Sequence, residues 1–528
     1  MDNRKIILLF NTVKYLKFTQ IYYRIYYFFR NRFFKKTYAK KINNFFKPIR
    51  WKNFIINTQS YSETHQSFEF LNITQSFPSI IDWNFNKNGK LWTYNLNYFD
   101  YLNQHHLSKE SGLTLINDYI KNDLILKDGK EPYPISLRGI NWIKFLSSNQ
   151  ISETEINQKL YNDYQLLLNN LEYHLLGNHL LENGFSLLFG AYYFQDEAIY
   201  KVAKKIIFSE LEVQILADGS HFELSPMYHQ ILFHRVLDCI QLIKLNSFWK
   251  DDALLCFLSK KASLMNTWLK NITYSNGAIP MVNDATFDIA PQSTLLFDYA
   301  KHLEIKFLNV SLSDSGYRKI TTDKYELFID VGNVGPDYQP GHAHSDTFNF
   351  EFVKNETPIF VDTGISTYEK NQQRQNERAT ISHNTVAINE TDQTEVWGGF
   401  RVAKRAKITN LFEDSGFLKA THDGYKNLGF IHTRSFQWKS QEIIIQDELN
   451  KSTNNKAKAF FHLHSSIKKP IIKDNTVFIE NENITIAFNN PLKVEIGQFN
   501  LSHGFNKINL SYKIIVTFDQ NLETTISI

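Results

Sequence analysis

The fold is decided at Tyr325-Glu326-Leu327-Phe328-Ile329-Asp330-Val331, where apolar side chains begin to occupy every second position. This alternation is typical of a β-strand with one buried face. Similar runs follow at residues 347–353, 442–446, 458–463 and 512–518. Short strands at this spacing, separated by turn residues, predict an antiparallel β-sandwich in the C-terminal part of the chain.

The preceding part of the chain has the spacing of helices instead. Apolar residues recur every three or four positions in residues 160–168, 198–216, 231–245 and 253–269, as they do on the buried face of an α-helix. Gly, Asn and Pro residues interrupt these runs. Repeated helix pairs of this length indicate an α-solenoid or a closed helical toroid. Helices first and strands second predict a multidomain α+β protein.

Three regions are expected from these patterns. Residues 1–90 would form a basic, aromatic N-terminal arm, residues 91–315 a helical domain, and residues 316–528 the β-sandwich domain. The polar stretch 311–316, Ser-Leu-Ser-Asp-Ser-Gly, sets the boundary between the last two. A chain of 528 residues has room for two or three domains of ordinary size.

The N-terminal region differs in charge from the rest of the chain. Of the 58 Lys and Arg residues, 13 lie in residues 1–50, which hold only one of the 54 acids, Asp2. Residues 22–30, Tyr-Tyr-Arg-Ile-Tyr-Tyr-Phe-Phe-Arg, are basic and aromatic together. Such a segment can contact an anionic membrane surface peripherally. The alternative is a helical arm that packs on the body of the protein with its charges in solvent. Nucleic acid is not an expected partner, and no pattern indicates an oligomeric state.

Composition excludes some classes of protein. The two cysteines are too few for a disulfide framework. The apolar run at residues 6–10 is shorter than the core of a secretory signal. No run approaches the roughly 20 apolar residues that a membrane-spanning helix needs. The sequence therefore predicts a cytoplasmic or inner-membrane-associated protein.

Residues 341–346, Gly-His-Ala-His-Ser-Asp, bring two histidines and a carboxylate together. His342 and His344 are followed by Asp362 and His383 within a short stretch of chain. Neutral imidazole and carboxylate are ligands that suit a zinc ion. Each of these residues alone would be expected to have a structural role, but together they predict a metal site or an acid–base site.

Two polar stretches interrupt the helical part. Asn178, His179 and Glu182 fall within about one helical turn, where they can bind the carboxylate or hydroxyl groups of a sugar or can cap a helix. Tyr228 lies in the second stretch, residues 218–229, and is a candidate acid or base.

Other polar residues are candidates for a cleft lining. Glu223 and His229 stand beside Tyr228 and are predicted to contact a substrate. A third polar pair, Asn283 and Asp284, can contribute to a cleft rim but is expected to cap a helix.

Basic and aromatic residues of the C-terminal part are candidates for substrate contacts. Arg374, Arg378 and Arg405 can pair with carboxylate or sulfate groups, because the guanidinium matches their geometry, or they can lie in solvent. Trp397 can stack on a sugar ring or can simply pack.

Taken in chain order, from residues 178–182 through 225–229 and 341–346 to 362–364 and 383–385, the motifs resemble the heparinase II/III family of polysaccharide lyases. The similarity covers roughly residues 90–470. Its most specific parts are the motif at residues 341–346 and Ser-Pro-Met-Tyr-His at residues 225–229. The resemblance implies an incomplete (α/α) toroid followed by an antiparallel β-sandwich, with the substrate cleft between them.

The resemblance also implies which residues form the site. The catalytic set would be Tyr228, His342, Asn178, His179 and Glu182, in which Asn178 and His179 neutralise a uronate carboxylate and Glu182 supports them. His344, Asp362 and His383 would hold one structural Zn²⁺ per chain.

The implied reaction is a β-elimination across C4–C5 of a uronic acid in an acidic polysaccharide. A neutralised carboxylate stabilises the charge that develops when a base removes the C5 proton. An acid then protonates the O4 leaving group. Tyr228 can serve as the acid, and as the base too in a syn elimination, whereas His342 can serve as the base in an anti elimination. Zinc would fix the loop that presents His342.

The basic aromatic arm resembles a variant of the family that takes part in bacterial capsule and exopolysaccharide assembly. This likeness implies the cell's own acidic glycan as substrate and the periplasm or cell envelope as the alternative compartment. A non-catalytic glycan-binding or assembly protein that retains the fold and the zinc is the alternative function. A toroid glycoside hydrolase would need two carboxylates, for which Glu182, Glu223 and Asp284 are available.

Overall fold

A computed structural model describes residues 3–34, 38–42, 46–454 and 456–528. Parts of the predicted membrane-contact region 1–50 therefore lie outside the described residues. Within the described ranges, no helix combines the length and the apolar character that crossing a membrane requires.

The N-terminal half is helical apart from one small sheet. Its helices, with one short helix in the C-terminal half, are α1 (Asn3–Val13), α2 (Phe18–Phe33), α3 (Lys90–Tyr98), α4 (Lys109–Lys121), α5 (Pro132–Ser148), α6 (Thr154–Leu168), α7 (Gly177–Phe194), α8 (Glu197–Gln214), α9 (Pro226–Leu245), α10 (Asp252–Ile272), α11 (Ser293–His302) and α12 (Gln372–Glu377).

The strands form one small N-terminal sheet and the sheets of the C-terminal half. They are β1 (Tyr61–Ser62), β2 (Ser67–Phe70), β3 (Ile73–Ser76), β4 (Tyr317–Thr321), β5 (Tyr325–Asp330), β6 (Phe350–Lys354), β7 (Thr357–Phe360), β8 (Val386–Ile388), β9 (Val396–Trp397), β10 (Arg401–Val402), β11 (Ile408–Asp414), β12 (Phe417–His422), β13 (His432–Lys439), β14 (Glu442–Leu449), β15 (Ala457–His462), β16 (Ile471–Lys473), β17 (Thr476–Ile479), β18 (Ile484–Asn489), β19 (Lys493–Ser502), β20 (Ile508–Phe518) and β21 (Asn521–Ser527).

The predicted fold class is confirmed, because a helical N-terminal part precedes an antiparallel, sheet-rich C-terminal part. The helical runs predicted from the sequence fall in α6, α8, α9 and α10, and the strand runs fall in β5, β6, β14, β15 and β20. One run starts late: the strand predicted at residues 347–353 begins at Phe350, since Phe348 has a φ of 70°, which interrupts extended structure.

Helix α7 is the centre of the toroid. Nearly all of its side chains are buried, as expected for a helix that is apolar on every face. It packs against α5, α8 and α9. A Cβ atom at Gly184 would lie 2.7 Å from a methyl carbon of Ile206 on α8, so glycine allows the two helices to approach closely.

The C-terminal half is a sandwich of two layers. One layer is an eight-stranded sheet in the order β11-β12-β13-β14-β21-β18-β17-β16. The other contains two four-stranded sheets, β19-β20-β15-β8 and β4-β5-β6-β7, which a backbone bridge between Phe360 and Leu463 joins. The Phe350 ring lies 5.9 Å from Phe436 of the first layer and 6.1 Å from Phe461 of the second, so the layers share one aromatic core.

Helices α1 and α2 form an arm that contacts both halves. Gln20 donates a hydrogen bond to the carbonyl of Leu175 in the toroid at 3.1 Å and to that of Tyr338 in the C-terminal part at 3.3 Å. The Thr12 hydroxyl donates to the carbonyl of Val402 at 3.3 Å. The arm therefore spans the gap between toroid and sandwich.

A second junction joins the loop before α11 to the loop that carries the histidine motif. The Asp284 amide donates to the carbonyl of His342 at 3.1 Å, and the His344 amide donates to the Asn283 side chain at 2.9 Å. Asn283 has a φ of 54°, in the left-handed region that asparagine tolerates. This pairing fixes the motif against the helical half.

Candidate active-site cleft

A large cleft lies where the toroid, the sandwich and the arm meet. Its volume is about 1490 Å³, which exceeds the size of ordinary small-molecule pockets and suits an extended ligand. Four of the predicted site residues line it: Asn178, His179, Tyr228 and His342. Two more, Glu182 and Glu223, lie behind these residues.

Tyr228 is positioned by the start of α9. Ser225 caps the helix by accepting a hydrogen bond from the Tyr228 amide at 3.3 Å, and Pro226 occupies the first turn, where its missing N–H costs nothing. The Ser225 hydroxyl also donates to the carbonyl of Asp284 at 2.8 Å. The Ser-Pro-Met-Tyr motif thus fixes the tyrosine in the first turn and connects it to the second junction.

The Tyr228 ring faces the His342 ring. Their centroids are 4.0 Å apart with the planes tilted by 36°. The hydroxyl groups of Tyr228 and Tyr368 share a hydrogen bond of 3.1 Å. Burial raises the pKa of Tyr228, although the hydrogen bond with Tyr368 acts in the opposite direction. At neutral pH the phenol therefore keeps its proton and is able to donate it.

Asp284 is the electrostatic centre of the site. Its fully buried carboxylate contacts His342 Nδ1 at 2.7 Å, His344 Nε2 at 2.9 Å and Arg374 Nη2 at 2.7 Å. Burial alone would raise the pKa of Asp284, but Arg374 and the two histidines outweigh it and hold this pKa well below its usual range. Because Asp284 is ionised, both imidazoles must donate an N–H to it.

This contact settles the tautomers. His342 carries its proton on Nδ1 when neutral, so the lone pair is on Nε2, which lies 3.4 Å from a carboxylate oxygen of Glu223. His344 carries its proton on Nε2, so its lone pair is on Nδ1. Burial, together with the neighbouring His383, lowers the pKa of His344 to about 4, which keeps this imidazole neutral.

Asn178 and His179 lie in the first turn of α7 and face the cleft. Helix N-termini favour anions, because their first N–H groups have no partners within the helix. The His179 Nδ1 atom lies 2.9 Å from a carboxylate oxygen of Glu172. Burial opposes the charged form, but Glu172 more than compensates and raises the pKa of His179. In the described part of the chain, Asn178 Oδ1 is buried without a hydrogen-bond partner.

The two predicted glutamates lie behind the cleft wall. Glu223 accepts a hydrogen bond from the backbone N–H of Asn178 at 3.3 Å, and burial raises the pKa of Glu223. Glu182 accepts from Arg235 at 2.8 Å, and burial raises its pKa despite this ion pair. Glu182 therefore orients Arg235, which lines the cleft, rather than contacting a ligand itself.

Three predicted substrate contacts lie elsewhere. His229 is fully buried, with its ring nitrogens bonded to the His221 amide and the Met265 carbonyl. Arg378 is fully buried and donates to the carbonyls of Ala343 and Gly399, so it supports the histidine loop from behind. Trp397 is outside the cleft lining and donates its indole N–H to Thr12 of the arm at 3.1 Å.

The other two arginines considered as substrate contacts form ion pairs within the protein. Arg374 pairs with Asp284, and Arg405 pairs with Asp337 at 2.7 Å. Sequence alone shows neither contact, because the partners are 90 and 68 residues away.

The predicted zinc ligands are buried side by side. His383 Nδ1 lies 2.7 Å from a carboxylate oxygen of Asp362, and the rings of His344 and His383 are 5.3 Å apart. Within residues 3–34, 38–42, 46–454 and 456–528, no group of three or more His, Cys, Asp or Glu side chains is placed so that it would hold a metal ion as it stands. The zinc site stays a prediction.

The chemistry of these donors nevertheless fits a cation. His344 Nδ1 and His383 Nε2 are buried and, among the residues described, have no hydrogen-bond partner; the same holds for Asp346 Oδ2. Burial and repulsion between carboxylates raise the pKa of Asp346 to about 6 and that of Asp330 well above its usual value. Unpartnered imidazole nitrogens beside crowded carboxylates are the environment in which a bound cation lowers the free energy.

Comparison with known proteins identifies the family. The model of the heparinase II/III N-terminus matches residues 135–305, and the model of the heparinase II/III-like C-terminal region matches residues 308–528. The chain belongs to the heparinase II/III family. It is 25% identical over 391 residues to the heparin-sulfate lyase of Bacteroides stercoris, a match that covers 65% of this chain and 55% of the relative. The chain thus spans about half the length of that relative.

Solved structures of the family share the fold. Heparinase III superimposes with a TM-score of 0.69 at 15% identity, over 96% of this chain and 91% of that one. The heparan sulfate lyase HepC from Pedobacter heparinus gives a TM-score of 0.56 at 16% identity, over 88% of this chain and 81% of that one. These likenesses confirm the predicted architecture of a toroid followed by a sandwich.

Several residues of this heparinase II/III site were not predicted from the sequence. Asp284 was expected to cap a helix, and Tyr368 and the role of Arg374 gave no signal. An Asn-Asp pair ahead of a helix has the same local pattern whether it caps the helix or reaches a distant histidine. Only the second junction, which is a long-range contact, distinguishes the two.

We expect Asp284→Asn to destabilise the protein by about 3–5 kcal/mol, because it leaves the Arg374 guanidinium buried without an anion. Urea unfolding at neutral pH measures this loss. The pKa of Asp284 is depressed in the folded state, so its contribution is present above the ordinary carboxyl pKa of about 3.9 and is lost as the pH falls through the lower folded value. The difference between wild type and variant should therefore shrink only in acid.

Asp288→Asn is the matched control, since Asp288 is exposed and lies four positions further along the same loop. Its effect should be within about 0.5 kcal/mol. Equal effects of the two substitutions at neutral pH would contradict the central role of Asp284.

Proposed function

We propose that this protein is a polysaccharide lyase that cleaves a uronic-acid-containing acidic glycan by β-elimination. One observation carries the proposal: Tyr228 and His342 face each other at 4.0 Å in a cleft that Asn178 and His179 also line. The relative from Bacteroides stercoris is named a heparin-sulfate lyase, and the similar structures are named heparinase III and heparan sulfate lyase, which supports the same chemistry.

The first requirement of the reaction is to neutralise the uronate carboxylate. The first turn of α7 supplies partial positive charge, and the raised pKa of His179 favours its cationic form. The side-chain amide of Asn178, whose backbone N–H is already bonded to Glu223, adds a neutral hydrogen-bond donor to the same place. These groups stabilise the enolate-like charge that develops when the C5 proton leaves.

The second requirement is a base that reaches the C5 proton and an acid that reaches the O4 leaving group of the same uronate. The contact with Asp284 leaves the lone pair of His342 on Nε2, which suits a base that takes the C5 proton. Burial keeps the proton on Tyr228, which suits an acid that protonates the O4 leaving group. The hydrogen bond from Tyr368 would stabilise the phenolate that remains after this transfer.

Turnover should release a product with a conjugated 4,5-unsaturated uronate, which absorbs ultraviolet light. Alginate, hyaluronan, heparan sulfate and a native capsule are the substrates to compare. We expect Tyr228→Phe to lower kcat by about 10²–10⁴-fold, the usual contribution of a positioned acid. Tyr325→Phe is the control, because its hydroxyl bonds to the Lys439 carbonyl within the sandwich.

Absence of the ultraviolet signal with every uronate polymer, from a folded protein, would contradict the lyase. Binding without turnover would instead favour the competing proposal, a non-catalytic glycan-binding or assembly protein that retains the fold and the zinc.

We also propose one structural zinc ion, held by His344, Asp362 and His383. The resemblance to the family and the free imidazole nitrogens support it. A bound zinc ion supplies a rigid cross-link in the sandwich, and Asp284 would transmit this rigidity to His342 through the contact that it shares with His344.

Elemental analysis of the purified protein tests the zinc. We expect one zinc ion per chain, its loss in His383→Ala together with a lower Tm, and unchanged zinc in Tyr228→Phe. His464→Ala is the control, since His464 lies in the same domain and bonds to Ser466 at 2.8 Å. A wild-type protein that takes up no zinc even when zinc is added would rule the site out.

The exposed surface of the arm supports a proposal about the cellular location of the protein and its glycan substrate. Phe18 and Phe28 are 79% and 67% exposed, and further aromatic and aliphatic side chains of α1 and α2 are exposed around them. Exposed aromatic side chains among basic residues fit an anionic bilayer surface. We therefore expect peripheral attachment to a membrane and a role in capsule or exopolysaccharide metabolism, at the inner membrane or in the cell envelope.

Sedimentation with lipid vesicles tests the attachment. We expect binding to vesicles that contain phosphatidylglycerol, weaker binding to phosphatidylcholine alone, and weakening by salt, because salt screens the charges. Phe18→Ser combined with Phe28→Ser should weaken binding by about tenfold or more, since each ring contributes about 1.5–3 kcal/mol when buried. Leu124→Ser is the control, because Leu124 is 94% exposed but lies on the toroid. Equal binding by the two variants would contradict attachment through the arm.

A further inference from the structure

Lysine and arginine side chains that line the cleft fall into two groups. Those of the first group each pair with a carboxylate, which holds and neutralises the charge. In the described part of the chain these pairs are Lys90 with Glu131 at 2.8 Å, Lys144 with Asp238 at 2.6 Å, Arg235 with Glu182 at 2.8 Å and Arg405 with Asp337 at 2.7 Å.

The second group comprises Arg24, Lys370 and Arg401. Among the described residues, none of these three has a carboxylate within ion-pair distance, although all three line the same cleft as Tyr228 and His342. Glu369 precedes Lys370 and also lines the cleft, but the two do not form an ion pair. Three cations without paired carboxylates give this part of the cleft a positive potential, which favours an anionic ligand.

These cations come from three distant parts of the chain. Arg24 is on α2 of the arm, Lys370 is in the loop before α12, and Arg401 is on β10. The arm docks beside β10 through the bond from Thr12 to the Val402 carbonyl. Arg24 and Arg401 line the same cleft, and burial together with repulsion from Arg401 lowers the pKa of Arg24.

Two of the cations belong to segments whose neighbouring residues contact the reacting groups. Arg401 follows Phe400, whose ring is 6.3 Å from the His342 ring and 5.2 Å from the Tyr368 ring. The Arg401 guanidinium stacks over Trp397 at 4.7 Å, which fixes its plane. Lys370 packs near Gly399, in the same turn. The three cations thus line the same cleft as the Tyr228–His342 pair without belonging to that pair.

We propose that Arg24, Lys370 and Arg401 form an anion-binding subsite, which holds the carboxylate or sulfate of a sugar next to the one that is cleaved. The proposal rests on the proposed function, since it assumes an acidic polysaccharide in the cleft. Guanidinium groups bind carboxylate and sulfate through paired, charge-assisted hydrogen bonds. An anion between the two arginines also removes their mutual repulsion.

The arm thereby becomes part of the specificity of the enzyme. Arg24 is supplied by α2, so the subsite is complete only when the arm is docked. The cations are positioned to bind substrate and transition state alike, because they contact a sugar that does not react. Their loss should consequently raise KM and leave kcat nearly unchanged.

Steady-state kinetics with Arg24→Gln and Arg401→Gln test this subsite. Each substitution should raise KM by about tenfold, because a hydrogen bond to a charged group is worth about 1.5–3 kcal/mol and a factor of ten corresponds to about 1.4 kcal/mol. Arg32→Gln removes the same charge from the same helix, outside the cleft lining, and should leave KM within twofold. Alginate carries only carboxylates and heparan sulfate also carries sulfates, so a larger effect with the second polymer would identify sulfate as the anion.

Direct binding separates this inference from the lyase activity. Fluorescently labelled alginate and heparan sulfate oligosaccharides are titrated into Tyr228→Phe, with and without Arg24→Gln, and neutral dextran serves as the blank. Weaker binding with Arg24→Gln supports the subsite even if no polymer is ever cleaved. Unchanged binding, an effect confined to kcat, an equal effect of Arg32→Gln, or a parent protein that binds neither acidic oligosaccharide would overturn it.

Discussion

The buried carboxylate of Asp284 is the constraint on which the site depends. It belongs to a loop of the helical half, yet its partners His342, His344 and Arg374 all belong to the C-terminal half. A buried anion must be matched by donors in good geometry, or the folded state loses several kcal/mol. The two halves are therefore held in one relative position at the point where the cleft needs it, and both histidines receive defined tautomers from the same contact.

Tyr228 is coupled to this centre through the backbone. Ser225 caps the helix that carries Tyr228, and its hydroxyl donates a hydrogen bond to the carbonyl of Asp284. Because the Asp284 carboxylate also binds His342, one residue positions both the acid and the base of the proposed reaction. Tyr368 completes the arrangement from the C-terminal half by its bond to the Tyr228 hydroxyl. A site built in this way owes its geometry to contacts between domains and little to any single helix or strand.

The sequence predicts well those features that depend on local pattern. Periodicity identified α8, α9 and β20, and the histidine and Ser-Pro-Met-Tyr motifs identified the facing pair in the cleft. It predicts poorly what depends on distant partners. His229 and Arg378 look like ligand contacts because they are polar and close to the motifs, but the fold satisfies them with backbone carbonyls in the interior. The error for Asp284 is the reverse: a residue expected to cap a helix proves to bind His342 and His344, because both roles have the same local sequence.

Gln20 links the arm to both halves of the protein. One amide group of this side chain is bonded to the toroid at Leu175 and to the C-terminal part at Tyr338. Two acceptors that share one donor group cannot move apart without losing at least one bond, and each bond is worth only about 1 kcal/mol. Helix α2 therefore cross-links the toroid and the C-terminal part, so that opening the cleft and displacing the arm are coupled movements.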